Sequence, residues 1–196
     1  MRKEPRQARS RATVEAVIEA GAHILSEQGW VGFTTNKVAE AAGVSIGSLY
    51  QYFPDKVSLV GAIRRKHLDD SLAAVRNALT AGLPLAGFVE ILVSNIIEAH
   101  RIHPGLHRVL LDEAPGLESY RNQNIQIEAQ YISYFTEAVA MHRQKKTETS
   151  DETIGITISD AIDGVIHNAA RRGNLHEPRI RHELVRMIRL YLGDAS

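Results

Sequence analysis

Residues Thr34–Lys56 read TTNKVAEAAGVSIGSLYQYFPDK, and the fold of the chain is decided there. A hydroxyl at Thr34 or Thr35 suits a helix N-cap, because its oxygen accepts from an N–H that the first turn leaves without an intrahelical partner. Val38, Ala39 and Ala42 then share an apolar face, while Glu40 falls on the wet side. Gly43 supplies the left-handed residue that stops a helix sharply, with Val44 tucked beneath the bend. Ser45 is placed to cap a second short helix in which Leu49 and Phe53 point inward at helical spacing. Ile46, Gly47, Ser48, Tyr50, Gln51 and Tyr52 are left to face outward or sideways. Pro54 and Asp55 lead into a third helix. Two short helices joined by a glycine turn are the pattern of a helix-turn-helix, whose second helix enters a DNA major groove.

Upstream, Val14, Val17, Ile18, Gly21 and Leu25 recur at three and four residues and predict a helix over 10–28, stopped by Gly29. Trp30 and Phe33 are expected to pack the link. Downstream, a long helix runs to about Leu79. The segment TAGLPLAG at 80–87 is a boundary, and Pro84 suits the first turn of a helix that follows Leu85, Phe88, Val89, Leu92, Ile96 and His100 until Pro104. A short helix from about Gly105 to Asp112 is broken by Pro115 and Gly116. A long one follows from Leu117 to about Gln144, and RQKKTETS at 143–150 is a polar loop. Helices over 151–172 and 178–192 close the chain, separated by Gly173 and Asn174. No strand alternation, internal repeat or low-complexity tract appears. The expectation is an all-α protein of about nine helices. A basic arm (1–9) precedes a three-helix head (10–66, helix-turn-helix at about 34–53) and a helical body (67–196).

Charge supports that division. The chain has no net formal charge, yet residues 1–66 hold ten Lys and Arg against six Asp and Glu, whereas 67–196 hold thirteen against seventeen. A basic front and an acidic back suit a protein that meets phosphates at one end only. The arm, with Arg2, Lys3, Arg6, Arg9 and Arg11 against Glu4, reads equally as a solvated tail or as a segment that settles on phosphates or in a minor groove. There are no cysteines, which excludes disulfides, thiolate zinc sites and cysteine nucleophiles. The charged start argues against a secretory signal, and apolar runs such as Ile91–Val93 fall far short of the roughly 18 residues that span a bilayer. A cytoplasmic protein with no membrane partner is expected.

The run GFTTNKVAEAAGVSIGSLYQYFPDK, with its Thr pair, A-G-V-S, L-Y-x-Y-F and trailing Lys, resembles the DNA-binding segment of the TetR family of bacterial transcriptional regulators. The close match covers about residues 10–66. It implies that Asn36, Ile46, Gly47, Ser48 and Gln51 approach base edges and that Thr35, Tyr50, Tyr52 and Lys56 hold phosphates. Gln51 suits its role physically, since an amide can donate and accept at once against adenine. Ile46 offers only apolar contact and departs from the basic or polar residue many members carry there. For Tyr50 and Tyr52, simple packing is the alternative reading.

The resemblance further implies a homodimer joined through the last two helices on a two-fold operator, and a body that encloses a pocket for a small-molecule effector. Ala161, Gly164 and Val165 on one helix and Leu184, Ile188 and Tyr191 on the other offer a subunit face, or else complete the monomer's own core. Phe88, Leu92, Ile96, His100, Ile125, Tyr131, Phe135, Asp163 and His167 are the candidate pocket lining, with ordinary packing as the alternative for each. His100, His103 and His107 invite a zinc reading, but Pro104 and Gly105 interrupt the helix between them, so no metal or other cofactor is expected. No phosphate-cradling glycine loop, G-x-S-x-G elbow or H-E-x-x-H occurs, and an enzyme is not expected. The function implied is a sequence-specific regulator, a repressor released by its effector. The alternative is an architectural or partner-binding protein that uses the same head without sequence preference.

Overall fold

The computed structural model describes residues 8–110, 114, 118–144 and 147–193, with the backbone alone at 118–124. The described residues form helices α1 (Ala8–Gly32), α2 (Thr35–Ala41), α3 (Ile46–Tyr52), α4 (Lys56–Thr80), α5 (Leu85–Arg101), α6 (Leu106–Arg108), α7 (Glu118–His142), α8 (Asp151–Arg171) and α9 (Pro178–Leu192), and no strand. The all-α architecture is as expected. Residues 1–7 of the expected arm (1–9) and the break at Pro115 and Gly116 lie outside the described residues, while Ala8 and Arg9 belong to α1. The chain forms two compact units, residues 1–67 with 103–124 and residues 68–102 with 125–196.

In the first unit, the head, local chemistry sets each turn. Thr34 Oγ1 accepts from the Lys37 N–H and caps α2, and Ser45 Oγ accepts from the Ser48 N–H at 3.1 Å and caps α3. Between them Gly43 sits at φ 65°, and the Val44 N–H returns to the Ala39 carbonyl at 3.0 Å, closing the left-handed helix stop. Asp55 and Ser58 bond reciprocally at the start of α4. The Ser58 N–H donates to Asp55 Oδ1 at 2.6 Å and the Asp55 N–H to Ser58 Oγ at 3.3 Å, a capping box built with a serine. Gly29 breaks α1 with φ 66°, ψ −175°, after which the helix resumes to Gly32. The inward faces converge on Phe33, Leu49, Phe53, Leu59 and Ile63, all at most 1% exposed.

Residues 103–124, expected in the body, cluster with the head. Leu106, Val109 and Leu110 join its core, and the Gly105 N–H donates to Ser26 Oγ on α1 at 3.0 Å. The approach is close enough that a Cβ on Gly105 would lie 2.3 Å from the Ser26 carbonyl oxygen, so only glycine fits.

In the second unit, the body, α5 packs against α8 and α9 around Phe88, Leu92, Ile96, Phe135, Ile162 and Ile166. Arg181 of α9 reaches α5, donating to Ser94 Oγ at 3.0 Å and pairing with Glu90. Of the two readings of Leu184 and Ile188, a subunit face or the monomer's own core, the single chain places both in core packing. They are 2% and 1% exposed within the single chain, turned into the body's core with Val185 and Leu192. Ala161 and Val165 are partly buried, while Gly164 faces open space and Tyr191 is 50% exposed.

Candidate nucleic-acid interface and ligand site

Burying Leu49 orients α3, and the opposite face then presents Ile46, Gly47, Tyr50 and Gln51 to solvent, with Asn36 exposed on α2. These groups carry no formal charge, which suits reading base edges; positive charge for phosphates flanks them at Lys37 and Lys56. Ser48 is partly buried, and its hydroxyl lies 2.8 Å from that of Ser45, so it is engaged in the cap of its own helix. Tyr50 Oη and Thr35 Oγ1 lie 3.1 Å apart and tie α3 to α2. Tyr52 packs against the head's core.

Lys56 is partly buried and already engaged by Trp30. Its ammonium donates to the Trp30 carbonyl at 2.6 Å and lies 3.7 Å from the centroid of the Trp30 ring, and desolvation lowers its pKa. Lys37, which sequence reasoning passed over, donates to Gln28 Oε1 at 2.6 Å and to the Gly32 carbonyl at 2.9 Å. The two lysines thus bind carbonyls at the C-terminal end of α1, where a helix dipole favours cations. A lysine in the first turn of a helix following a glycine-terminated one was the only signal for this.

The expected pocket residues separate into three groups in the body. Phe88, Leu92, Ile96 and Phe135 are core, with Phe88 stacked on His142 at 4.4 Å and the His142 pKa lowered by burial. Ile125 is 55% exposed. The polar members form two contacts. Tyr131 Oη donates to Asp163 Oδ1 at 3.4 Å, and His167 Nε2 meets His100 Nε2 at 3.0 Å. The His100 Nδ1–H must donate to the Ile96 carbonyl, 2.8 Å away, so its Nε2 accepts and His167 Nε2 donates. Desolvation lowers the His100 pKa, favouring this neutral form. Desolvation also raises the Asp163 carboxyl to about 6, and it raises the Tyr131 hydroxyl well above its usual range.

Each histidine of the run has a polar partner within its own unit. His100 meets His167 in the body, while His103 Nε2 bonds Glu19 at 3.0 Å and His107 meets His67 at 3.3 Å in the head.

A capped, seven-residue helix presented beyond a glycine turn on a small helical head, followed by a helical body, defines a helix-turn-helix DNA-binding protein. Residues 17–63 match the family described as bacterial regulatory proteins, tetR family, and residues 84–192 match the tetracyclin repressor-like C-terminal domain. The chain belongs to the TetR family of transcriptional regulators. It is 35% identical over 83 residues to the HTH-type transcriptional repressor KstR2 of Rhodococcus jostii, and 35% identical over 97 residues to the nucleoid occlusion factor SlmA of Haemophilus ducreyi. These alignments span 42% and 48% of the chain and 41% and 46% of the relatives, less than half of each. The fold is similar to that of a transcriptional regulator from Rhodococcus sp. Rha1 (TM-score 0.76, 20% identity, 93% of this chain and 98% of that one). It is also similar to that of the fatty acid degradation regulator FadR from Bacillus halodurans (TM-score 0.73, 17% identity, 93% and 99%).

Proposed function

We propose that this protein is a sequence-specific transcriptional repressor that binds a two-fold operator as a homodimer and is released by a small molecule bound in its body. The observation that carries the reading is the outward face of α3 and α2. Asn36, Gly47 and Gln51 are exposed, uncharged and held on capped helices, between two lysines. In this reading Asn36, Ile46, Gly47, Ser48 and Gln51 contact bases, and Thr35, Tyr50, Tyr52 and Lys56 contact phosphates; the exposure of Asn36, Ile46, Gly47, Tyr50 and Gln51 supports it. One such head covers few base pairs, so two-fold pairing multiplies both affinity and specificity.

For the subunit face, the exposed apolar residues are the better candidates: Met187, Leu190 and Tyr191 at helical spacing on α9, with Ile156 and the open Gly164 on α8. Effector release requires that the ligand prefer one shape of the protein over the other. The reading is tested by footprinting on DNA around the protein's own gene. A protected two-fold site supports it, and the absence of any protected site there or in a random-sequence selection contradicts it.

The likeness to SlmA, a nucleoid occlusion factor by name, favours a second reading, a DNA-binding protein whose output is not promoter repression. Its architectural form, binding without sequence preference, predicts equal affinity for operator and random DNA at matched salt.

A further inference from the structure

The body's core is largely hydrocarbon, and Asp163, partly buried on α8, sets a carboxyl group beside Tyr131, which packs against that core. Its only partner among the described residues is the Tyr131 hydroxyl at 3.4 Å, well beyond the roughly 2.5–2.7 Å of a strong O–H···O⁻ bond. No cation pairs with it among the described residues, and Asp160, one turn earlier, adds like charge. Desolvation is the largest effect on this group, the Tyr131 bond opposes it, and Asp160 reinforces it. A carboxylate so placed gains free energy by meeting a positive charge.

The neighbourhood decides what kind of cation fits. Tyr131, whose hydroxyl reaches the carboxyl, meets Phe135 edge to face with centroids 5.0 Å apart, so an aromatic pair stands next to it in the packing. Tyr131 also packs against the aliphatic core. One carboxylate, aromatic faces and hydrocarbon suit a positively charged nitrogen carried on an apolar body. A divalent metal would instead need several oxygen or nitrogen donors converging on one point.

We propose that Asp163 is the recognition carboxylate for an apolar organic cation, which displaces the Tyr131 hydroxyl from it and so replaces a link between α7 and α8. The proposal rests on the reading of the body as the effector-binding unit and names the chemical class of that effector. The exchange gives the ligand a differential hold on the two shapes, because the Tyr131–Asp163 contact exists only in the unliganded one.

The test uses three probes with the same ten-carbon chain: decylammonium, 1-decanol and decanoate. Each is titrated calorimetrically into the full chain well above the Asp163 pKa of about 6, and each is then added to the protein bound to its footprinted DNA. Decylammonium is expected to bind about tenfold or more tighter than decanol, with decanoate weakest, and to release the DNA. Asp163→Asn is expected to keep its fold, since it removes a desolvated charge, and to lose the preference for the ammonium. The ranking in the unaltered protein is an arm that needs no variant. Equal binding of the three probes, preference for decanoate, no binding of any, or a preference that survives in D163N overturns the proposal. Release of DNA by decanoate would uphold the effector reading while sinking the cationic class. Preferential ammonium binding with DNA retained would uphold the site and sink the effector reading.

Discussion

Lys56 holds the Trp30 carbonyl and the Trp30 ring with one ammonium, so any phosphate it contacts must share or replace those partners. Lys56→Ala is therefore expected to lower head stability by about 1–2 kcal/mol, seen as a lower denaturation midpoint. It should also weaken binding to all DNA sequences and flatten the salt dependence by about one unit of slope. Gln51 is exposed, and under the proposed base contact Gln51→Ala is expected to cost about 1–3 kcal/mol of discrimination at one base position. Random-sequence affinity should stay constant; a uniform loss from both variants would contradict the division of roles. In the body, Asp163 on one side and His100 and His142 on the other set opposing pH effects. Asp163 binds its proton more tightly folded than unfolded, so its contribution to stability falls as pH rises from 3.8 to about 6. His100 is shifted the other way by burial, and stability is lost as pH falls below its ordinary 6.5. Denaturation of D163N across this range should lack the acid-side gain and show only the histidine loss; an unchanged pH profile would refute the assignment.

Helix ends explain why the head was legible. The caps at Thr34 and Ser45, the stop at Gly43 and the inward Leu49 and Phe53 are encoded within a few residues of where they act. Ser45→Ala should cost about 1 kcal/mol through loss of the α3 cap, measured by thermal denaturation. Helix α9 was harder to read because both faces carry apolar residues. Leu184 and Ile188 look like Leu190 and Tyr191 in sequence, and only packing separates the first pair, at 2% and 1% exposure, from the second, at 56% and 50%. Ile188→Asp is therefore expected to unfold the body, with a penalty of several kcal/mol from an unpaired buried charge. Leu190→Asp should leave circular dichroism unchanged and convert a sedimenting dimer to monomer. A folded I188D protein, or an undisturbed dimer in L190D, would contradict the assignment of faces.

At the scale of the whole molecule, the helix-turn-helix was visible in its motif and the basic front and acidic back in the distribution of charge. What the sequence could not show are pairings between distant residues. The Gly105 contact with Ser26 brings residues 103–124 into the head, and His167 finds His100 only through the packing of α5 and α8. Pocket residues chosen by helical spacing mixed core with polar groups for the same reason. Spacing identifies a face of a helix, but what that face meets depends on the other helices. The central claim is that the exposed α3 face reads sequence. It is tested most directly by comparing affinity for the footprinted operator with affinity for random duplex of equal length at matched physiological salt. A ratio of about 10³ or more is expected, and equal affinities would contradict it.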